Sequence, residues 1–229
     1  FVMFYLTDTV GLSMGIIGTL IALSKVFDGV TDFFFGRMID KTHTKMGKAR
    51  PWMLWPYIGC SVALVACFAI PTSWGQTAQY AFFFIAYTLL NAVFFTANNI
   101  AYASLTALIT KNTNERVQLG SIRFIFAFGT SMLIQYITID AVNWFGGGAE
   151  GWRIVAIIYA IVGLIINTIS VFSVKELPEA DKEIEKERKE EHTLTFFDSF
   201  KLLLKNKYYV IICITYIMTQ LYASVIGMG

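Results

Sequence analysis

Charge is what this sequence has least of. Asp, Glu, Lys and Arg together supply 15% of its 229 residues, against 56% hydrophobic and 16% aromatic. That is too little polar surface to wrap a soluble domain, so the chain reads as a membrane protein. The net charge is only +2, and no basic patch interleaved with aromatics occurs, so no nucleic-acid partner is expected. His43 and His192 stand alone in charged connections, too isolated for a metal site or a proton relay. Cys60, Cys67 and Cys213 sit inside apolar runs at no metal-type spacing and read as buried neutral thiols. Neither an initiator methionine nor the basic start of a signal peptide opens the chain. It begins "FVMFYLTDTVGLS" and stops at "YASVIGMG", which is expected of a fragment cut within a helix at both ends. Ten-residue stretches of alternating polarity are missing too, which excludes an outer-membrane barrel and leaves helices.

What the chain does have is long apolar runs. Spans able to cross about 30 Å of hydrocarbon, which takes about 20 helical residues, are expected at 14–40, 52–72, 79–109, 119–144, 152–174 and 208–229, with a truncated run at 1–6. Lys and Arg gather in alternate connections: Arg37, Lys41, Lys45, Lys48 and Arg50; then Lys111, Arg116 and Arg123; then eight more in 175–207. The connections "TDTVGLSM", "PTSWGQTAQ" and "DAVNWFGGGAEGW" contain none. By the positive-inside rule, loops 41–50, 110–118 and 175–207 are cytoplasmic, in a multi-pass protein of the bacterial inner membrane. Trp52, Trp55, Trp74, Trp144 and Trp152 fall at the ends of spans, as an aromatic belt requires. Segment 175–207, dense in charge and then amphipathic near Phe196 to Leu204, reads as a solvated linker leading into an interfacial helix. The expected organisation is all-α: a six-helix bundle over 1–174 with its first helix truncated, a cytoplasmic middle loop over 175–207, and the start of a second bundle over 208–229. A long loop between parallel halves is the plan of a two-half transporter, of which this is the first half.

The stretch "SKVFDGVTDFFFGRMID" breaks the apolar rule. Lys25, Asp28 and Asp32 are separated by three and four residues and so share one helix face, with Thr31 beside them. Each charge at a helix centre costs about 2.5–3.5 kcal/mol, so such residues face a bundle interior or a wet cavity. One reading is a Lys25–Asp28 bridge tying helices together, with Asp32 wet. The other is a cation site: two carboxylates a turn apart supply hard oxygen ligands, and the trio's net charge of −1 is neutralised by one monovalent cation. In the fourth span, "FFTANNIAYASL" places Thr96 and Asn99 on one face as further oxygen donors, while Asn98 points elsewhere. Polar residues of this kind also serve as interhelical glue. Arg123, in "GSIRFIFAFG", either snorkels to the headgroups or turns its fork of donors into the cavity. Asp140 and Glu150 flank the glycine run and read as solvated.

"DGVTDFFFGRMIDKTHTKMGKARPW" resembles the helix-two and loop signature of the glycoside-pentoside-hexuronide:cation symporters, the melibiose-carrier-like branch of the major facilitator superfamily. The pattern is Asp28, Asp32, Gly36, then Gly47-Lys48-Ala49-Arg50-Pro51-Trp52. "YLTDTVGLSMGIIGTL" and "ERVQLGSIRFIFA" are similar to that family too, so the likeness runs from residue 5 to about 175. Gly36 is expected to permit close helix approach, the basic string 41–50 to pin that end to anionic headgroups, and Pro51 to open the third helix. The resemblance implies a coupling-cation site of Asp28, Thr31, Asp32 and Thr96 with Asn99, the two carboxylates being the metal ligands if the ion is Na⁺. It implies a sugar site of Arg123, Asn99 and Tyr102, with Lys25 supporting the charge balance and grouped with the substrate residues. The family's melibiose carriers have an acid where this chain has Asn99 and a stacking Trp where it has Ala103, which argues against a galactoside. The implied function is symport of a glycoside, pentoside or hexuronide with Na⁺ or H⁺, without cofactor or covalent chemistry. The implied partners are the sugar, a monovalent cation and membrane lipid, in a monomer formed with its own C-terminal half. A sodium-coupled lysolipid carrier and an intramembrane enzyme using Asp28 and Asp32 as an acid–base dyad are the alternatives.

Overall fold

In lipid, each backbone N–H and C=O has to find its partner within its own segment, and the chain answers with helices. The computed structural model describes residues 1–177 and 205–227, in two units, Phe1–Ala180 and Asp181–Gly229. In the first unit, α1 runs over Val2–Phe4 and continues as a π-helical turn, Tyr5–Thr9. Helix α2 is Met14–Asp40 and α3 is Arg50–Cys67. Helix α4, Gln76–Ile109, is interrupted by a π-helical segment at Leu89–Phe95. Helix α5 is Thr113–Trp144 and α6 is Gly148–Ser173. The second unit contributes α7, Lys207–Gly227.

Helices α2, α4, α5 and α6 are each long and apolar enough to cross a membrane. Helix α3, with 18 residues, is about 27 Å long and stops at Cys67, short of the expected 72. Its last turn tightens there, with Phe68 N–H on the Val65 carbonyl at 3.2 Å and Ala69 N–H on that of Ala66 at 3.1 Å. The start of α5 lies six residues before the expected 119, because Asn112 caps it by accepting from the Asn114 N–H at 2.9 Å. The connection expected over 110–118 therefore shrinks to Thr110–Asn112, and Arg116 becomes a first-turn residue that donates to the carbonyls of Thr110 (2.8 Å) and Ala107 (3.1 Å). The amphipathic stretch expected at Phe196 to Leu204, and His192, lie outside the described residues.

Within the first unit α3 is central, packing on α6 and α4, while α2 packs on α4 and α5 on α6. The close approaches occur at Gly59, where a Cβ would enter the Phe94 ring, and at Gly163, where it would strike the Tyr57 hydroxyl. Gly36, by contrast, meets no neighbour within 4 Å among the described residues, so within this unit it does not serve the close approach expected of it. Two amides bind the helices together: Asn98 and Asn167 both donate to the Met53 carbonyl, at 2.8 and 2.9 Å. The main apolar core lies at the end opposite the basic loops, where Trp152 stacks on Phe68 at 5.7 Å and Tyr5 packs on both. Trp152 is only 3% exposed and belongs to this core and not to a headgroup belt; Trp55, Trp74 and Trp144 are exposed.

The basic end is held by one carboxylate. Glu176, just past α6, accepts the N–H groups of Lys48 (2.7 Å), Ala49 (3.0 Å) and Arg50 (3.0 Å) at the start of α3. Those are orphan donors at the positive end of a helix, where an anion is favoured. Gly47 makes the bend possible: its φ is +108°, and a Cβ there would run into the Glu176 carboxylate. Arg50 adds a bond to the Val171 carbonyl at 2.8 Å, and Leu177 donates to the Leu108 carbonyl at 2.9 Å. Glu176→Ala is expected to cost about 2 kcal/mol or more, since three N–H groups lose a charged acceptor. A thermal melt of the purified protein in detergent checks this, and an unshifted melting temperature would refute the latch.

Candidate functional site

The central charges of α2 lie on one face, and one oxygen of the pair is already taken. Lys25 Nζ sits 2.7 Å from Asp28 Oδ2, with the Lys25 side chain 57% and the Asp28 side chain 21% exposed. Both residues are on the same helix, so the bridge does not tie helices together. Asp28 Oδ1 is buried and has no hydrogen-bond partner among the described residues. Asp32, one turn further, is exposed, and among the described residues no hydrogen bond or ion pair reaches its carboxylate. Thr31 gives its hydroxyl hydrogen to the carbonyls of Phe27 (2.9 Å) and Asp28 (3.0 Å). Its oxygen keeps lone pairs on the same face.

Helix α4 faces this stripe. Phe27 meets Phe84 edge-on at 6.4 Å, and the phenol of Tyr87 lies within electrostatic reach of both Lys25 and Asp28. Residues 24, 27, 28 and 31 of α2 and 84, 87, 88 and 91 of α4 each follow helical spacing along one face. On these stripes lie two hydroxyls that the sequence reading missed. Ser24 is fully buried, and both its Oγ and the buried Thr88 Oγ1 lack a partner among the described residues. Thr19, Ser61, Ser104 and Thr168, by contrast, each donate to the carbonyl four residues back, the usual resting place of a helical hydroxyl. Ser24 was findable as the residue one turn before Asp28. Thr88 was not, because nothing in the sequence fixes which face of α4 meets α2.

Directly after Thr88 the helix widens into the π-helical segment, a feature that concentrates at functional sites. Thr96 follows it, 6% exposed, and its hydroxyl donates to the Asn91 carbonyl five residues back at 3.0 Å, the spacing a π turn imposes. It lies on the part of α4 that packs against α2, yet no hydrogen bond joins it to Asp28 or Asp32 among the described residues.

A second cluster forms where α4 meets α5. Arg123 Nη2 donates to Asn99 Oδ1 at 3.0 Å, and its guanidinium carbon lies 4.4 Å from the centroid of the Tyr102 ring. Arg123 therefore turns toward α4 and does not snorkel. Asn99, expected at both sites, gives its oxygen to Arg123, and Lys25, expected to support the charge balance and grouped with the substrate residues, is bonded to Asp28. The guanidinium lies over the Tyr102 ring and, with one N–H on Asn99, keeps other donors of its fork unspent among the described residues. That is a surface for hydroxyls or a carboxylate, with an aromatic ring beside the position where Ala103 withholds one.

The chain matches, over residues 1–229, the family described as MFS/sugar transport protein. It is 36% identical over 181 residues to the isoprimeverose transporter of Lactiplantibacillus pentosus, covering 77% of this chain and 37% of that one. It is 33% identical over 175 residues to the putative glycoside/cation symporter YagG of Escherichia coli K12, covering 76% and 38%. With a glucuronide carrier protein homolog of the same organism the identity is 27% over 180 residues, covering 77% and 39%. The chain thus spans less than two fifths of the length of these relatives. The family and these relatives are transporters and not enzymes, and the apolar helices belong to a multi-pass integral membrane protein of the bacterial inner membrane. The helix-two signature, the all-helical unit and the match along the whole chain agree: the chain belongs to the glycoside-pentoside-hexuronide:cation symporter family of the major facilitator superfamily.

Proposed function

We propose that the chain forms the first six-helix half of a carrier that moves a glycoside, pentoside or hexuronide together with a cation by alternating access. The observation that carries this reading is Asp28, with one oxygen on Lys25 and the other buried and, among the described residues, unpartnered. A carboxylate so placed is half-neutralised and open to a small positive ligand. In the unloaded carrier Lys25 offsets Asp28, and Asp32 leaves the face at −1; a monovalent cation brings it to zero. The names of the relatives, an isoprimeverose transporter and a glycoside/cation symporter among them, support sugar as the cargo.

Between Na⁺ and H⁺ the reading favours Na⁺. The hydroxyl oxygens of Ser24 and Thr88 are neutral ligands that suit a hard metal ion but have no useful basicity for a proton. Thr31, Asp32 and Thr96 complete the candidate set on the same two helices. The sugar occupies the neighbouring cluster, its hydroxyls or carboxylate on the Arg123 fork and its ring near Tyr102. Coupling arises when cation and sugar together favour the closed form more than either does alone, a difference in affinity between conformations.

In proteoliposomes of the whole carrier at fixed pH, labelled sugar uptake should rise with external Na⁺. Uptake indifferent to Na⁺ but collapsed by a protonophore would exclude Na⁺ as the coupling ion. Asp28→Asn should abolish cation-driven accumulation while sugar binding persists; accumulation at the wild-type level would refute the site. Ser24→Ala and Thr88→Val should each raise the half-saturating Na⁺ concentration by about tenfold, the worth of one lost polar ligand. Arg123→Lys should weaken sugar binding by about tenfold or more without moving the Na⁺ dependence, as measured by ligand displacement.

A further inference from the structure

The basic end of the first unit carries a feature the transport reading does not use. Between α2, α3 and α4 lies a cleft of about 370 Å³, its walls including Phe35, Trp52, Trp55, Pro56, Phe94 and Ala97. Its depth comes from small residues: the Phe94 ring closes on Gly59, and Ala97 is buried. Phe35 and Trp52 meet edge-on at 5.9 Å and stiffen one wall, and Pro56 offers no N–H. Of the two polar side-chain atoms among these residues, the indole nitrogens of Trp52 and Trp55, Trp52 Nε1 donates to Thr42 Oγ1 at 2.8 Å. Water entering the cleft would find the Trp55 indole N–H as the one side-chain donor not already bonded and no side-chain acceptor among these residues, whereas an aliphatic chain would lose nothing by leaving bulk lipid for it.

The same hydrogen bond places the cleft against the loop that follows α2. From the last turn of α2 to the first residue of α3 the chain carries Arg37, Lys41, Lys45, Lys48 and Arg50 against the single acid Asp40. The Glu176 carboxylate is occupied by three backbone N–H groups of α3 and offers little to the lysines. Lys41 and Lys45 are exposed, on a loop shaped by Thr44 Oγ1 donating to the Gly47 carbonyl at 2.7 Å and accepting the Met46 N–H at 3.2 Å. Trp55, 68% exposed, stands beside the cleft. An apolar slot beside a loop that carries exposed ammonium groups has the chemistry of one lipid class. We propose that the cleft is a discrete site for an anionic phospholipid, one acyl chain lying along Trp55 and Phe94 and the phosphate held by Lys41 and Lys45. A zwitterionic lipid has the same chains and phosphate but brings its own cation to the lysines. The chain would lie against the part of α4 where the π-helical segment passes into Thr96.

The test uses the full-length carrier in phosphatidylcholine vesicles containing a tenth of either dibromo-acyl phosphatidylglycerol or dibromo-acyl phosphatidylcholine, with tryptophan fluorescence as readout. The Trp55 contribution is obtained by difference from Trp55→Phe. Bromines of phosphatidylglycerol are expected to quench it with an apparent affinity about tenfold above those of phosphatidylcholine. Lys41→Gln with Lys45→Gln should bring the ratio to about one while the protein keeps its thermal melt and its tryptophan spectrum. Equal quenching by both lipids in the unaltered protein would mean ordinary contact with bulk lipid and would overturn the proposal. So would a tenfold preference that survives the double substitution, or one that Trp55→Phe leaves in place.

Discussion

A carboxylate in the middle of a lipid-embedded helix has to be neutralised, and much of the first unit is arranged around that demand. Asp28 meets it half-way. Lys25 occupies one oxygen from within the same helix, so the compensation travels with α2 and needs no neighbouring helix to hold still. The other oxygen is buried, on a stripe that faces α4 and that also carries the unpartnered Ser24 hydroxyl. Burying polar atoms without partners is expensive in any protein interior and more so in hydrocarbon. Three such atoms, on facing stripes of two helices, make a local cost that a visiting cation would relieve.

The scaffold that holds α2 and α4 in place draws its rigidity from α3. Two amides converge on the Met53 carbonyl from α4 and α6, and Glu176 fixes the first turn of α3 to the end of α6. Gly59 and Gly163 let an aromatic side chain of α4 and the backbone of α6 come close to it. Helix α5 is attached more loosely, through α6 and a few contacts with α4, one of which is the Arg123–Asn99 bond. The candidate sugar cluster thus lies at a less heavily packed seam, which suits a site that must open and close.

The sequence made some of this legible and hid the rest for physical reasons. The bounds of α2 were readable at 14–40 because both ends are marked, by Ser13 before it and by the basic loop after it. The Arg123–Asn99–Tyr102 cluster was readable only through the family resemblance, since residues on different helices have no common periodicity. The π-helical segment was invisible: "LLNAVFF" has the composition of any apolar helix, and a one-residue shift of register leaves no compositional trace. Glu176 looked like the first acid of a charged linker, because a long-range cap binds backbone N–H groups, which carry no sequence signature. Trp152 looked interfacial because it opens a span, but aromatic neighbours from α1 and the end of α3 bury it. Gly36 shows the opposite error, a signature glycine without a close neighbour in this unit.

On the proposed function, both ligands act on one helix. Thr88 lies just before the π-helical segment of α4, and Thr96, Asn99 and Tyr102 lie after it. An α-helix between the two sites would transmit a displacement rigidly. A π-helical segment holds wider hydrogen-bonded rings of poorer stability, so it converts between registers at lower cost. Thr96 already sits in the wider register, bonded five residues back to Asn91. Its return to a four-residue partner would turn Asn99 and Tyr102 relative to Thr88. A cation that tightens the α2–α4 seam and a sugar that draws Arg123 toward Asn99 therefore both act on the same adjustable turn. Neither ligand needs to touch the other for its binding to be felt.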